Sequence, residues 1–206
     1  MTRYALPAGL LVLAVLWLGP LLDSWRQSLS AHMLAHMGVV GIAAPLIAFG
    51  LSERFKARTP MPLALPVIAS VVELFTVWGW HAPVMRRIAE TSVTGMVAEQ
   101  AMFLLVSVLL WWTCLAQPSS KAHAAIGAGA LLLTSIHMTL LGALLSLSQR
   151  PLYGEGEVTC FGIVLGARED QQLGGIIMLL VGAIVYLAGG VSLVRRLVAD
   201  PHVSGG

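Results

Sequence analysis

The chain alternates long apolar stretches with short polar connections, a pattern that predicts a bundle of about six transmembrane helices. Each stretch approaches the ~20 residues that a helix needs to cross ~30 Å of hydrocarbon. The first stretch ends in Leu-Gly-Pro-Leu-Leu-Asp without the small-x-small site of a cleaved signal peptide, so we expect it to be retained. The stretches cover about residues 5–22, 31–51, 62–80, 95–116, 124–147 and 172–194.

Composition favours an all-α integral membrane protein. The 206 residues are 57% hydrophobic and 11% charged, with a mean hydropathy of +0.84, whereas roughly 25% of residues are charged in a soluble domain. We therefore expect residues 1–206 to form a single transmembrane helical domain that has no nucleic-acid partner. Two cysteines without a CxxC motif are too few for a disulfide framework. One outer connection, Ser148 to Asp170 between helices 5 and 6, is longer than the others and shows no periodicity.

Basic residues predict the orientation, because they are enriched on the cytoplasmic side. Seven of the 12 Lys and Arg residues share a side with both ends of the chain, and on the other side acidic residues offset the remaining five. We therefore expect both termini to be cytoplasmic in a multi-pass protein of the bacterial inner membrane, surrounded by membrane lipid. The seven are Arg3, Arg54, Lys56, Arg58, Lys121, Arg195 and Arg196.

A histidine pair stands out in the second apolar stretch. His32 and His36 are four residues apart, so both imidazoles lie on one face of a helix. Ionisable side chains are costly in hydrocarbon, so such a pair indicates a functional site. Met33 and Met37 lie on the adjoining stripe. Imidazole suits copper, iron and zinc, and thioether favours Cu(I), so this combination predicts a copper site.

The expected topology places further polar side chains in the same outer half of the membrane. The third helix ends at His81, and the fourth carries Glu99 near its outer end. His137 lies deeper, about ten residues from the outer end of the fifth helix at ~1.5 Å per residue. We expect these groups to share one site. The candidate metal ligands are His32, His36, His81, Met33, Met37 and His137, and the side chains that would orient them or balance charge are Asp170, Gln171, Gln172, Glu99 and Gln100.

Each of these residues also has a purely structural interpretation. His81, next to two tryptophans, could anchor the protein at the membrane interface. His137 could hydrogen-bond a neighbouring backbone group, Ser135 or Thr139. Glu73 is expected to be a protonated or paired packing residue, and Asp170 could cap a helix.

Small residues on the last two helices predict close helix packing, because they let backbones approach one another. They are Gly142, Ala143, Gly174, Gly175, Gly182, Gly189 and Gly190.

Several motifs follow one another in a distinctive order and spacing from about residue 30 to 190. They are the Ser-Ala-His-Met-Leu-Ala-His-Met run of residues 30–37, Ala44-Pro45-Leu46 with Gly50, Trp80-His81-Ala82-Pro83, Glu99, Trp111-Trp112, Gly142 to Leu145, Pro151-Leu152-Tyr153, and Asp170 to Met178. As a set they resemble the CtaG family, membrane proteins that assist assembly of caa-type cytochrome c oxidase.

The resemblance implies that His32, His36, His81 and the run Asp170, Gln171, Gln172 form the family's polar signature. It also implies delivery of copper to a haem-copper oxidase. One departure is visible: relatives commonly carry a histidine after the glutamate of the fourth helix, where this chain has Gln100.

Three functions therefore remain open. The first is a non-enzymatic assembly factor that holds Cu(I) and passes it to a nascent haem-copper oxidase subunit, with a periplasmic copper chaperone as a further partner. The second is a haem-binding redox protein that uses histidines on different helices, such as His36 and His137, as axial ligands. The third is a proton or ion transporter built on Glu73, Glu99 and His137.

Overall fold

The structure is a computed structural model that describes residues 4–54, 61–115 and 120–198. As predicted, these residues are mostly helical. The elements are α1 (Ala5–Leu18), α2 (Leu29–Gly38), a π-helical segment (Val39–Ala43), α3 (Ala44–Arg54), α4 (Leu65–Trp80), α5 (Pro83–Thr91), α6 (Val93–Leu115), α7 (Lys121–Leu147), β1 (Glu157–Cys160), β2 (Ile163–Gly166) and α8 (Ala167–Val198).

Within the described ranges, four continuous helical spans are long and apolar enough to cross a membrane. They are Leu29–Arg54, α6, α7 and α8, and the bent pair α4 and α5 gives a fifth if it acts as one span. The multi-pass character is thus supported.

The first predicted span, residues 5–22, corresponds to α1, which has only 14 residues and ends at Leu18. This helix is about 21 Å long at 1.5 Å per residue. Pro20 explains the early end, because it has no backbone N–H and disfavours a helical conformation in the residue before it. The count of six and the cytoplasmic termini stay predictions. Three of the basic residues behind the orientation, Arg3, Lys56 and Arg58, lie outside the described residues.

A sharp corner separates α4 from α5, whose axes differ by 71°. Pro83 is the first residue of α5, where its missing N–H costs nothing. It also holds Ala82 in an extended conformation, with ψ at 137°. As a result His81 lies at the corner, immediately after the end of α4.

A π-helical segment interrupts the span that carries the histidine pair. Here the N–H of Ala44 bonds the carbonyl of Val39, five residues earlier. The next N–H would bond Val40, but residue 45 is a proline and has none. The indole Nε1 of Trp111 donates to that carbonyl instead, at 3.1 Å. Pro45 therefore explains both the interruption and the contact with α6.

Glycines join α7 to α8, as the sequence predicted. A Cβ added to Gly142 would lie 2.8 Å from the carbonyl oxygen of Gly175, and one added to Gly175 would lie 2.5 Å from the backbone nitrogen of Ser146. The two backbones are thus in direct contact. On the neighbouring face of α8, Gly174 accommodates Leu29 and Met33 of α2. Helix α8 therefore links α7 to the helix with the histidine pair.

The long outer connection contains an antiparallel hairpin with Glu157 opposite Gly166 and Cys160 opposite Ile163. Its two-residue turn places Phe161 and Gly162 at φ of 51° and 76°, the left-handed pair that such hairpin loops require.

Candidate functional site

Three of the predicted ligands meet at one end of the bundle. The ring centres of His36 and His81 are 5.4 Å apart, those of His32 and His81 are 5.6 Å apart, and those of His32 and His36 are 6.2 Å apart. All three side chains are at most 3% exposed. The predicted convergence is therefore present, with α2 supplying two imidazoles and the corner after α4 supplying the third.

We call His32, His36 and His81 the histidine cluster. The ring of Phe103 on α6 contacts all three of them. Its ring centre is 4.1 Å from that of His36, and it is fully buried. Phe103 thus gives the three imidazoles an apolar neighbour on the side of α6.

His81 is held with one nitrogen free. Its Nδ1 lies 2.7 Å from the carbonyl oxygen of Val77, and since a carbonyl can only accept, Nδ1 carries the proton. Nε2 then bears a lone pair, and it has no hydrogen-bond partner in the described part of the chain. The side chain of His81 is only 3% exposed, and its ring contacts those of His32 and His36. Both observations disfavour the interpretation of His81 as an anchor at the membrane interface.

The backbone of His81 is fixed as well. The hydroxyl of Tyr153, in the connection before the hairpin, donates to the carbonyl oxygen of His81 at 2.7 Å. Burial raises the pKa of Tyr153 to about 12, so the hydroxyl keeps its proton at physiological pH. The long outer connection thus helps to position the third histidine.

His32 is held differently. Its Nδ1 lies 3.1 Å from Nη1 of Arg86. A guanidinium has donors only, so Nδ1 must accept this hydrogen bond and the proton of the neutral ring sits on Nε2. His32 therefore has no lone pair free while Arg86 is in place.

Arg86 is almost fully buried, with a side-chain exposure of 3%, and it touches several groups at once. Its Nε lies 3.1 Å from Glu90 Oε1, its Nη2 donates to the carbonyl of Arg26 at 2.9 Å, and its Nη1 lies 3.9 Å from Glu99 Oε2. Glu99 Oε2 is also 3.6 Å from His32 Nδ1. We do not interpret this last contact as an ion pair, because Nδ1 accepts from Arg86.

The other two histidines among the candidate ligands are His36 and His137. Among the described residues, neither nitrogen of His36 or of His137 finds a hydrogen-bond partner. His137 of α7 is 3% exposed and lies within electrostatic range of His36. The structural interpretation of His137, a hydrogen bond to a neighbouring backbone group, Ser135 or Thr139, is therefore not supported among the described residues.

Asp170 caps a helix, but the helix is α2 and not its own. Its Oδ1 accepts from Ser28 Oγ at 2.8 Å, Ser30 Oγ at 2.5 Å and Ser30 N at 3.2 Å, and its Oδ2 accepts from Leu29 N at 2.5 Å. The carboxylate thus satisfies free backbone donors at the start of α2. It positions the histidine pair through the backbone of α2.

The other predicted supporting side chains differ in their contacts. Gln171 accepts from Leu152 N at 2.7 Å and donates to the carbonyl of Leu145 at 3.2 Å, so it ties the outer connection to α7. Gln172 is only half-buried. Gln100 is 3% exposed and follows Glu99 on α6.

The methionines belong to the apolar core. Met33 and Met37 are 0% and 2% exposed, and Met33 Cγ lies 3.2 Å from the position that a Cβ on Gly174 would take. Met33 therefore faces α8, whereas the histidine cluster faces α4, α5 and α6. Their role as ligands stays a prediction.

Glu73 lies in a separate buried network. Its Oε1 accepts from Ser107 Oγ at 2.6 Å and from Tyr186 OH at 3.1 Å. This matches the expected paired packing role.

The cluster can accommodate a metal ion, although it does not hold its donors in place for one. Because a first-row metal lies ~2 Å from a histidine nitrogen, two imidazoles that share an ion have ring centres no more than about 6.5 Å apart. All three pairs meet this limit. Within residues 4–54, 61–115 and 120–198, no three His, Cys, Asp or Glu side chains converge as a ready-made metal site.

Sequence reasoning missed Arg86, Phe103 and the two serines that bond Asp170. Arg86 and Glu90 have the four-residue spacing of a helical ion pair, but such pairs are usually exposed. Nothing in the local sequence indicates that this one is buried against a histidine.

In a comparison with protein families, residues 3–200 fit a family model described as cytochrome c oxidase caa3 assembly factor (Caa3_CtaG). The matched range contains every residue of the site. No curated protein and no solved structure matches the chain.

Proposed function

The chain belongs to the caa3 cytochrome c oxidase assembly factor family, and from this premise we propose that it carries Cu(I) as a cargo at the histidine cluster for insertion into a haem-copper oxidase. The ion is bound near the outer end of the bundle and passed on by ligand exchange. The protein performs no catalytic step on it.

The observation that supports this proposal most strongly is the free Nε2 of His81. Metal-binding histidines typically donate their other N–H to a carbonyl or carboxylate, which fixes the ring and leaves one nitrogen for the metal. His81 has this arrangement through Val77. His36, with both nitrogens unpartnered and its ring centre 5.4 Å away, is the natural second ligand.

The donor set suits the cargo. Imidazole binds copper well, and a delivery site must also release its ion. Two histidines with a third that joins reversibly meet both demands. An acceptor subunit or a periplasmic copper chaperone would exchange ligands from the outer face, where an open pocket of about 520 Å³ lies between the connection before α2 and the hairpin.

The haem hypothesis fits less well. Cofactor sites typically occupy about 300–1,000 Å³, whereas the cavity beside His32 has about 10 Å³. Phe103 fills the space beside His36. The transporter hypothesis loses support because the carboxylate of Glu73 is engaged by Ser107 and Tyr186.

Competition with a chromogenic Cu(I) chelator, under reducing conditions and in detergent, tests the proposal. We expect about one Cu(I) per chain, and we expect His36→Ala and His81→Ala each to weaken binding by tenfold or more, which corresponds to about 1.4 kcal/mol. His123→Gln is the control, because His123 is equally buried but bonds the carbonyl of Thr113 on α6.

Unchanged Cu(I) affinity in the His36→Ala, His81→Ala double variant would refute the site. A Soret band in the visible spectrum of the purified protein would favour haem instead.

A further inference from the structure

We propose that Arg86 is an internal competitor of the cargo: its guanidinium occupies the cation position beside His32 and must leave before His32 can become a ligand. This inference rests on the proposed function and adds a residue that controls affinity. Arg86 is then a positioning residue. Its removal strengthens Cu(I) binding, whereas removal of a ligand weakens it.

The first argument comes from lone pairs. A neutral imidazole has one lone pair for a metal and one N–H. Arg86 donates to Nδ1 of His32 at 3.1 Å, which uses the lone pair and leaves the proton on Nε2. Both nitrogens of His32 are therefore closed to a metal in this arrangement. Among the described residues, both nitrogens of His36 and Nε2 of His81 have no hydrogen-bond partner.

The second argument comes from charge. Arginine keeps its positive charge at any accessible pH, and here the guanidinium is buried, where like charges are poorly screened. A Cu(I) ion bound to His32 would lie within a few ångströms of it. The repulsion opposes binding unless the guanidinium moves.

The third argument is that an outward direction for this movement exists. Arg86 lines a void of about 10 Å³ together with His32 and Glu99, and its ion-pair partner Glu90 lines the open polar pocket of about 520 Å³. The void has about the volume that one water needs. Oε1 of Glu90 already lies 3.1 Å from Nε of Arg86, which has no hydrogen-bond partner among the described residues, and Glu90 is 20% exposed, so it can hold the guanidinium on the pocket side.

These contacts imply an order of events. Cu(I) first meets His36 and His81, whose nitrogens are available. The guanidinium then turns from His32 toward Glu90, and His32 completes the set. The return of Arg86 removes His32 from the ion, which leaves fewer ligands and favours transfer to an acceptor. No bond of the protein is broken in this cycle apart from hydrogen bonds.

Arg86→Leu tests the inference, because leucine fills part of the same space but has no charge, no donor and no sulfur that could itself bind Cu(I). We expect it to bind Cu(I) alone at least tenfold more tightly in the chelator competition, with Arg86→Lys close to the unmodified protein. Arg87→Leu is the matched control: Arg87 is the next residue on α5, is exposed, and should leave the affinity unchanged.

Glu90→Gln keeps the test decisive if Arg86→Leu folds poorly. It removes the anion that draws the guanidinium outward, so Arg86 stays with His32 and Glu99 and Cu(I) binding weakens several-fold. Where Arg86→Leu folds, its combination with His32→Ala should abolish the gain, because the gain depends on His32.

The outcomes separate this inference from the proposed function. Equal or weaker Cu(I) binding by Arg86→Leu, while His36→Ala still loses affinity, overturns the inference and leaves the proposed function intact. A gain that persists without His32 also overturns it. Absence of Cu(I) binding by the unmodified protein and by Arg86→Leu alike refutes both.

Discussion

Asp170→Asn should destabilise the protein by about 3 kcal/mol, although the two side chains have almost the same shape. The carboxylate of Asp170 accepts four hydrogen bonds from the start of α2, three on Oδ1 and one on Oδ2. An amide in the same place has one oxygen. If this oxygen replaces Oδ1, the NH₂ group faces the N–H of Leu29, and two donors meet in a buried space.

The magnitude follows from these contacts. The buried N–H of Leu29 loses its acceptor, which costs ~1–3 kcal/mol. The three remaining bonds change from charge-assisted to neutral, and hydrogen bonds to charged groups are worth about twice neutral ones. Part of this loss is recovered because a neutral amide is cheaper to bury than a carboxylate. If residue 170 only capped its own helix, asparagine would serve almost as well as aspartate, because the two residues are about equally favourable at the N-cap of a helix.

The assay is denaturant unfolding of the purified protein in detergent, followed by tryptophan fluorescence without copper. Asp23→Asn is the control, because Asp23 is 90% exposed and its only described ion pair is a 3.7 Å contact with Arg26. Such a surface change should stay within ~0.5 kcal/mol. A loss below ~1 kcal/mol in Asp170→Asn would refute the reasoning and reduce Asp170 to a local cap.

Three further predictions concern the scaffold. Gly142→Ala should destabilise the protein by ~1–3 kcal/mol because its Cβ would meet the backbone of α8, whereas Gly129→Ala, with nothing within 4 Å, should be neutral or stabilising in the same unfolding assay. Tyr153→Phe should cost about 1 kcal/mol of unfolding free energy, since one partly buried hydrogen bond is lost. In a cysteine-free background, an impermeant thiol reagent added to intact cells should label Glu155→Cys and spare Lys121→Cys; the opposite pattern would invert the topology. Engineered cysteines are needed because both native ones are buried.

The meeting of the three histidines was predictable, because it depends on where the helices begin and end. A bundle of spanning helices brings alternate ends to the same side, so His32 near the start of one span and His81 at the end of the next must share a level. The close contact of α7 and α8 was also predictable, because glycines on facing helices let the two backbones approach one another.

The contacts that decide the chemistry were not predictable. Arg86 looks like a basic residue of an outer connection, and only the 71° corner at Pro83 turns its helix so that the side chain reaches His32. The role of Asp170 was half predicted: a cap was expected, but which helix it caps depends on the packing of α8 against α2. Such choices arise from tertiary contacts, which no local pattern encodes.

The proposed role as a carrier is consistent with the different availability of the three histidines. A rigid set of three imidazoles with all lone pairs aimed at one point would hold copper firmly and release it slowly. In the described part of the chain, His81 bonds Val77 through Nδ1 and has Nε2 free, neither ring nitrogen of His36 has a hydrogen-bond partner, and Arg86 engages His32. Under the proposal, the number of ligands would change by one through the movement of a single guanidinium. An ion held in this way would be retained against loss to solvent and still be surrendered to a protein that offers it a more complete set of ligands.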